Sequence, residues 1–203
     1  MSRRLILLLL ALVLLAPSLA LAGRPTMPTL TEKQASKLHD GKLILLTASE
    51  GEGEAMVTGL LEIAAPRDVI WPILLSNEHV VASSRATREA VTYRDVTEDG
   101  VRDLRIAFML KVGFSEIRFH SHRSHFIAEN YMSWHLDEAK ENDIESTIGS
   151  YSLWPTKTPG TTLFLYKARI ATGKNVPEWL EEELTESSLK KFLLYVQEVA
   201  EES

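Results

Sequence analysis

The order of elements in the last third of the chain most constrains the fold. Two strand-like runs, Ile144 to Pro155 and Thr161 to Ala171, lead through Val176-Pro177-Glu178-Trp179-Leu180 into one long amphipathic helix. Pro177 suits a first helical position, where a missing N–H costs nothing, and Glu178, Glu181, Glu182 and Glu183 set negative charge against the positive end of the helix dipole. Leu180, Leu184, Leu189, Phe192, Leu193, Val196, Val199 and Ala200 recur at three- and four-residue spacing as one apolar stripe. From Pro177 to Ala200 such a helix reaches about 36 Å, enough to cross a small sheet. The order predicts a curved sheet closed by a C-terminal helix, a shape that can hold an apolar ligand. The competing reading of the same stripe is a helix covering an ordinary core.

The opening residues bear on compartment. Arg3 and Arg4 precede an apolar run from Leu5 to Ala16, Pro17 and Ser18 interrupt it, and Ala20-Leu21-Ala22 offers small residues for cleavage before Gly23. This is the pattern of a secretory signal over residues 1–22, and it predicts a periplasmic or secreted protein with no stable membrane insertion after cleavage. An uncleaved anchor over Leu5 to Ala22 is the alternative, although the apolar run is shorter than the roughly 20 residues a span needs. The chain has no cysteine, so the exported protein must be stable without disulfides. Loss of Arg3 and Arg4 takes the formal charge from −6 to −8. An acidic chain argues against nucleic acid as a partner and against tight binding to anionic membrane surfaces, but not against a lipid held by apolar burial.

The rest reads as a leader segment, residues 23–53, followed by one domain, 54–203. In the leader, Thr31 is a helix cap and Gly41 a stop for a short helix over Thr29 to Asp40, and Lys42 to Thr47 is a short strand or extension. In the domain, Glu54 to Ile63 alternates as a strand with one buried face, Pro66 opens a helix with Val69, Ile70, Ile73 and Leu74 inward, and Pro72 kinks or ends it within about a turn. Glu89 to Val96 and Val101 to Leu110 form a hairpin around Glu98-Asp99-Gly100. Phe114 to Phe126 and Tyr131 to Leu136 follow, joined at Ala128-Glu129-Asn130; Asp137 to Asp143 is an exposed connection, and Pro155 to Gly160 turns the last hairpin. Strand, short helix, about six antiparallel strands and a long helix make an α+β protein with helices on one face of an antiparallel sheet.

This order resembles the helix-grip fold of the START and polyketide-cyclase-like (SRPBCC) superfamily, in its exported bacterial type. The residues that carry the resemblance are Gly59-Leu60-Leu61-Glu62-Ile63-Ala64-Ala65-Pro66-Arg67-Asp68-Val69-Ile70-Trp71, similar to that family's first strand and Pro-initiated helix, and Gly149-Ser150-Tyr151-Ser152-Leu153-Trp154-Pro155 with Gly160-Thr161-Thr162 and the Val176 to Leu180 helix entry. It spans Glu54 to Glu201. Where such proteins often carry an aromatic, Pro-rich stretch after the first helix, Ser76 to Thr87 here reads Ser-Asn-Glu-His-Val-Val-Ala-Ser-Ser-Arg-Ala-Thr. The resemblance implies a curved antiparallel sheet of about six or seven strands wrapped on a long C-terminal helix, with a cavity for lipids, quinones or polyketide-like molecules between them.

Ten residues are candidates to line that cavity: Trp71, Phe108, Arg118, His122, Trp134, Tyr151, Phe164, Tyr166, Phe192 and Val196. Arg118 and His122 are named as polar anchors for the head group of an amphipathic ligand. For each aromatic, ordinary core packing is the competing role. Leu163 and Leu165 are apolar on the parity opposite to Phe164 and Tyr166, so the last strand is buried on both faces or its outer face meets the leader or another subunit. Catalytic signals are weak: no cysteine nucleophile, no Gly-x-Ser-x-Gly elbow and no phosphate-binding glycine loop are present. His120, His122, His125 and His135, with Glu129, form the one cluster with metal-ligand chemistry, but the alternative is a polar strand also carrying Glu116, Arg118 and Arg123, and no metal or cofactor is assigned. The favoured function is an exported binding or transport protein for a hydrophobic small molecule. The alternatives are a cyclase- or dehydratase-like enzyme using Tyr151, His122, Arg118 or Glu116, and a partner-binding domain without a ligand.

Overall fold

The structure, a computed structural model, describes residues 24–49, 55–171 and 188–203. Its centre is one curved, unclosed antiparallel sheet of eight strands: β1 (Ile44–Ser49), β2 (Ala55–Ile63), β3 (Thr87–Glu98), β4 (Val101–Val112), β5 (Ser115–Phe126), β6 (Tyr131–Leu136), β7 (Ser146–Pro155) and β8 (Thr162–Ala171). They lie side by side in the order β1-β2-β8-β7-β6-β5-β4-β3. The helices are α1 (Glu32–His39), α2 (Arg67–Leu75), α3 (Asn77–Ala82) and α4 (Ser188–Glu201). The architecture is the predicted α+β helix grip. The expected start of the last helix at Pro177 lies outside the described residues.

Local chemistry sets most of the element ends. Thr31 caps α1 through a capping box in which the Gln34 N–H donates to Thr31 Oγ1 and the Gln34 side chain accepts from the Thr31 N–H. Gly41, at φ +70°, ends that helix in the left-handed region. Asp99 and Gly100 both take positive φ in the β3–β4 turn, the conformation a two-residue hairpin requires. Pro72 sits inside α2, which stops at Leu75; Ser76 then caps a second short helix, α3, by accepting from the His79 N–H. The Ser76 to Thr87 stretch thus contains a helix that the apolar pattern did not announce.

On the concave face, α4 packs against β2 and α2. Leu189, Leu193, Val196 and Ala200 of α4 join Val57, Leu61, Ile63, Trp71, Leu74, Leu153 and Phe164 in the largest core cluster. Burial of each large aliphatic side chain contributes about 1.5–3 kcal/mol. Gly59 lets α4 come close: a Cβ there would lie 2.4 Å from Leu193 Cδ1.

The structure corrects the reading of β2 as a strand with one buried face, because Leu60 and Leu61 on opposite sides are both fully buried. Leu60, Leu163 and Leu165 on the convex side are covered by Leu38 of α1 and Ile44 of β1. The leader residues are therefore built into the fold: β1 extends the sheet by one strand beyond the six or seven expected, and α1 roofs its convex face. Arg24 adds a further tie, stacking its guanidinium 3.3 Å over the Trp154 ring while Nη2 donates to the Leu153 carbonyl at 2.7 Å.

Candidate functional site

Between α3, the start of α4 and the concave face of the sheet lies a cavity of about 150 Å³. Val80, Ser83 and Ser84 form the α3 side, Leu189 and Phe192 the α4 side, and Thr87, Arg123, Tyr151 and Tyr166 its sheet wall. The strand pairing explains the wall. Tyr151 stands opposite Tyr166 across β7 and β8, and Arg123 opposite Trp134 across β5 and β6, so all four side chains share the concave face. The rings of Tyr151 and Tyr166 are 5.4 Å apart, Phe192 stacks 5.8 Å from Tyr151, and Trp134 closes the group 4.8 Å from Tyr151. Gly149 makes room for the indole, since a Cβ there would meet Trp134 Cζ2 at 2.1 Å. Burial pushes the Tyr151 phenol up to about 12 and raises Tyr166 as well, so both hydroxyls stay protonated at neutral pH.

The candidate residues fall into three groups. Tyr151, Tyr166 and Phe192 line the cavity. Trp134, Phe164 and Phe108 stand directly behind it: Phe164 meets Tyr151 edge-on at 5.5 Å, and Phe108 lies 5.2 Å from the Arg123 guanidinium. Trp71 and Val196 belong to the main core, with Trp71 Nε1 donating to Asn130 Oδ1 and its ring 4.1 Å from His125. Arg118 and His122 are on the convex face, away from the cavity. The Arg118 side chain is exposed beside Glu116, and its backbone N–H donates to Asp143.

The polar anchor facing the cavity is Arg123, which sequence reasoning assigned only to a polar strand. Its signal was present. Ile117 and Phe119 are the apolar residues inside β5, and their parity places Ser121, Arg123 and His125 on the same concave face. The many polar residues of both parities hid that alternation. Arg123 is 7% exposed, and its Nε and Nη1 have no hydrogen-bond partner among the described residues. Burial lowers its pKa, opposed by the oxygens of Tyr151 and Tyr166, and an arginine remains charged regardless. His125, also buried, leaves both ring nitrogens without partners among the described residues; burial pushes it down to about 4, with the Arg102 charge adding to the shift.

The other histidines of the predicted cluster, His120, His122 and His135, lie on the convex face. His122 and His135 are cross-strand neighbours with rings 4.8 Å apart, and His122 Nε2 lies 3.0 Å from Asp103. Asp137, expected in an exposed connection, is instead buried and accepts from Tyr93 at 2.8 Å and from Arg105 at 3.1 Å. Burial acts to raise Asp137, and these donors together with the Ala139 N–H hold it below its ordinary value. His125, on the opposite face, cannot join His120, His122 and His135 in one site. No cluster of three or more potential metal-ligating side chains occurs among the described residues.

No protein-family model matches the chain, and no curated protein matches it in sequence. Solved structures do match in fold. A START superfamily protein from Mycobacterium smegmatis aligns with a TM-score of 0.58 and 17% identity over 72% of this chain and 97% of its own. An aromatase/cyclase from Streptomyces aligns at 0.54 and 14% identity over 73% and 92%. A STAR-related lipid transfer protein from Xanthomonas axonopodis aligns at 0.53 and 11% identity over 76% and 97%. The likeness establishes a START-like helix-grip fold.

Proposed function

We propose that the chain is an exported binding or transport protein that holds a hydrophobic small molecule between its sheet and its C-terminal helix. The observation that carries this reading is the aromatic cavity itself: Tyr151, Tyr166 and Phe192 line a space under α4 that the core does not fill. Mostly apolar concavities with a few polar groups are the usual form of small-molecule sites. A volume of about 150 Å³ is below the roughly 300 Å³ at which drug-sized sites begin, so it suits a head group, a ring or a short chain. The fold shared with a lipid transfer protein and an aromatase/cyclase supports the same class of ligand. The protonated phenols of Tyr151 and Tyr166 suit donation to a ligand oxygen better than proton abstraction.

Export draws its support from the Arg3 to Ala22 pattern, and no helix among the described residues is long and apolar enough to cross a membrane. Organic extraction and native mass spectrometry of the mature protein should release a lipid-, quinone- or polyketide-like molecule. Repeated extraction of nothing, together with no binding to a panel of such molecules, would refute the reading. N-terminal sequencing of the exported chain should begin at Gly23.

A further inference from the structure

A cation buried without a counter-charge is expensive, and this cavity contains one. Arg123 is more than nine-tenths buried, Nε and Nη1 lack partners, and no carboxylate among the described residues pairs with it. The contacts it does have are weak substitutes: the Phe108 ring at 5.2 Å and the protonated phenols of Tyr151 and Tyr166, which supply dipoles rather than charge. By contrast, Arg105 on the convex face, although more exposed, is matched by both Asp103 and Asp137. Buried charges are ordinarily paired, and a guanidinium withdrawn from water with two nitrogens unpaired destabilises the ligand-free protein unless a ligand restores the missing charge.

We propose that the ligand is an amphipathic monoanion whose carboxylate pairs with Arg123 while its apolar body lies against Tyr151, Tyr166 and Phe192. This rests on the reading of the cavity as a ligand site. The class follows from charge and shape. One guanidinium balances one negative charge, and its planar N–H groups match a carboxylate. Ser83, Ser84 and Thr87 line the same cavity and bring further hydroxyl groups to it. A phosphate dianion would leave a second charge uncompensated, because Arg123 is the only charged side chain that lines the cavity among the described residues.

The test compares matched neutral and anionic probes on the full mature chain by calorimetry: octanoate against octanol, naphthoate against naphthalenemethanol, with octyl phosphate as a third head group. In the wild-type protein the carboxylates should bind at least about thirty-fold more tightly than their alcohols, the lower end of what a buried charge pair contributes. In Arg123→Met that preference should vanish, leaving both members equal. The same substitution should raise the melting temperature of the ligand-free protein, because it removes an unpaired buried charge. A melting temperature that falls would show that Arg123 is structurally paired and would overturn the inference. Equal binding of acid and alcohol by the wild-type protein would overturn the anion assignment and leave the cavity reading standing. Tighter binding of octyl phosphate would replace the carboxylate class. Failure of every probe up to about 1 mM would remove both readings together.

Discussion

Gly149 offers the sharpest test of how the aromatic wall is built. It sits in β7 opposite Trp134 on one side and Ala168 on the other, with the Trp134 indole laid across its bare backbone. An added Cβ would meet Trp134 Cζ2 at 2.1 Å, Cε2 at 2.5 Å and the Lys167 carbonyl oxygen at 2.6 Å. The indole cannot swing away freely: it lies 4.8 Å from the Tyr151 ring and 5.7 Å from Tyr166, and Nε1 donates to Thr147 Oγ1 at 3.4 Å. The carbonyl belongs to the β7–β8 ladder and can shift only by opening the sheet. Overpacking of this kind costs about 1–3 kcal/mol and occasionally more, offset by the ~0.4–1 kcal/mol that alanine gains over glycine through the unfolded chain. With two ring atoms and a backbone oxygen all within 3 Å the cost lies at the upper end of that range, so Gly149→Ala should lose about 2 kcal/mol net, a fall of about 4–8 °C in melting temperature for a domain of this size. Urea unfolding supplies the free energy and near-ultraviolet circular dichroism the state of the aromatic cluster. In a Trp134→Leu background the cost should drop to about 1 kcal/mol, because the clash with the Lys167 carbonyl persists when the ring is gone. A neutral or stabilising Gly149→Ala, or the same cost with and without the indole, would refute the reasoning.

Two other perturbations follow from buried groups. His125 has its folded pKa depressed from 6.5 to about 4, so its contribution to stability is complete above about pH 6.5 and is lost as pH falls toward 4; between pH 7 and pH 5 the loss is about 2 kcal/mol. His122 is also depressed by burial, so the effect is read as the difference between wild type and His125→Leu in urea titrations across the range, and an unchanged pH slope in the variant would count against it. Leu38→Ala should destabilise by about 2–4 kcal/mol, measured by thermal or urea unfolding, because Leu38 seals the convex face over Leu60, Leu163 and Leu165; a loss near zero would mean that α1 is not part of the folded unit.

Much of the architecture was legible because each element announced itself locally. Asp99-Gly100, Thr31, Gly41 and the Leu189 to Ala200 stripe each specify a backbone state within a few residues, and the strand runs between them are long enough for their order along the chain to be read, although their number in the sheet came out short because β1 comes from the leader. Missed elements were those whose signal was not local. α3 begins at a serine cap in a polar stretch with no apolar stripe. The two-sided burial of β2 depends on α1 being packed against it from the other side. Tyr151, Tyr166 and Phe192 were readable as inward-facing from strand parity and helix spacing, whereas Arg118 and His122 were misplaced because β5 carries polar residues on both faces and its register rests on Ile117 and Phe119 alone.

The amino-acid sequence by itself therefore determined the class of fold, the order of its strands, the closing helix and the acidic, cysteine-free character of the chain, since periodicity, capping and composition act over short distances or over the whole chain. Only the tertiary structure decided which side chains meet in the cavity. A one-residue change of strand parity moves every side chain to the other face, and that choice is made by packing between β4, β5 and the helices above them. It put Arg123 beside two protonated tyrosines with no counter-charge among the described residues, and Arg118 and His122 out with charged partners of their own.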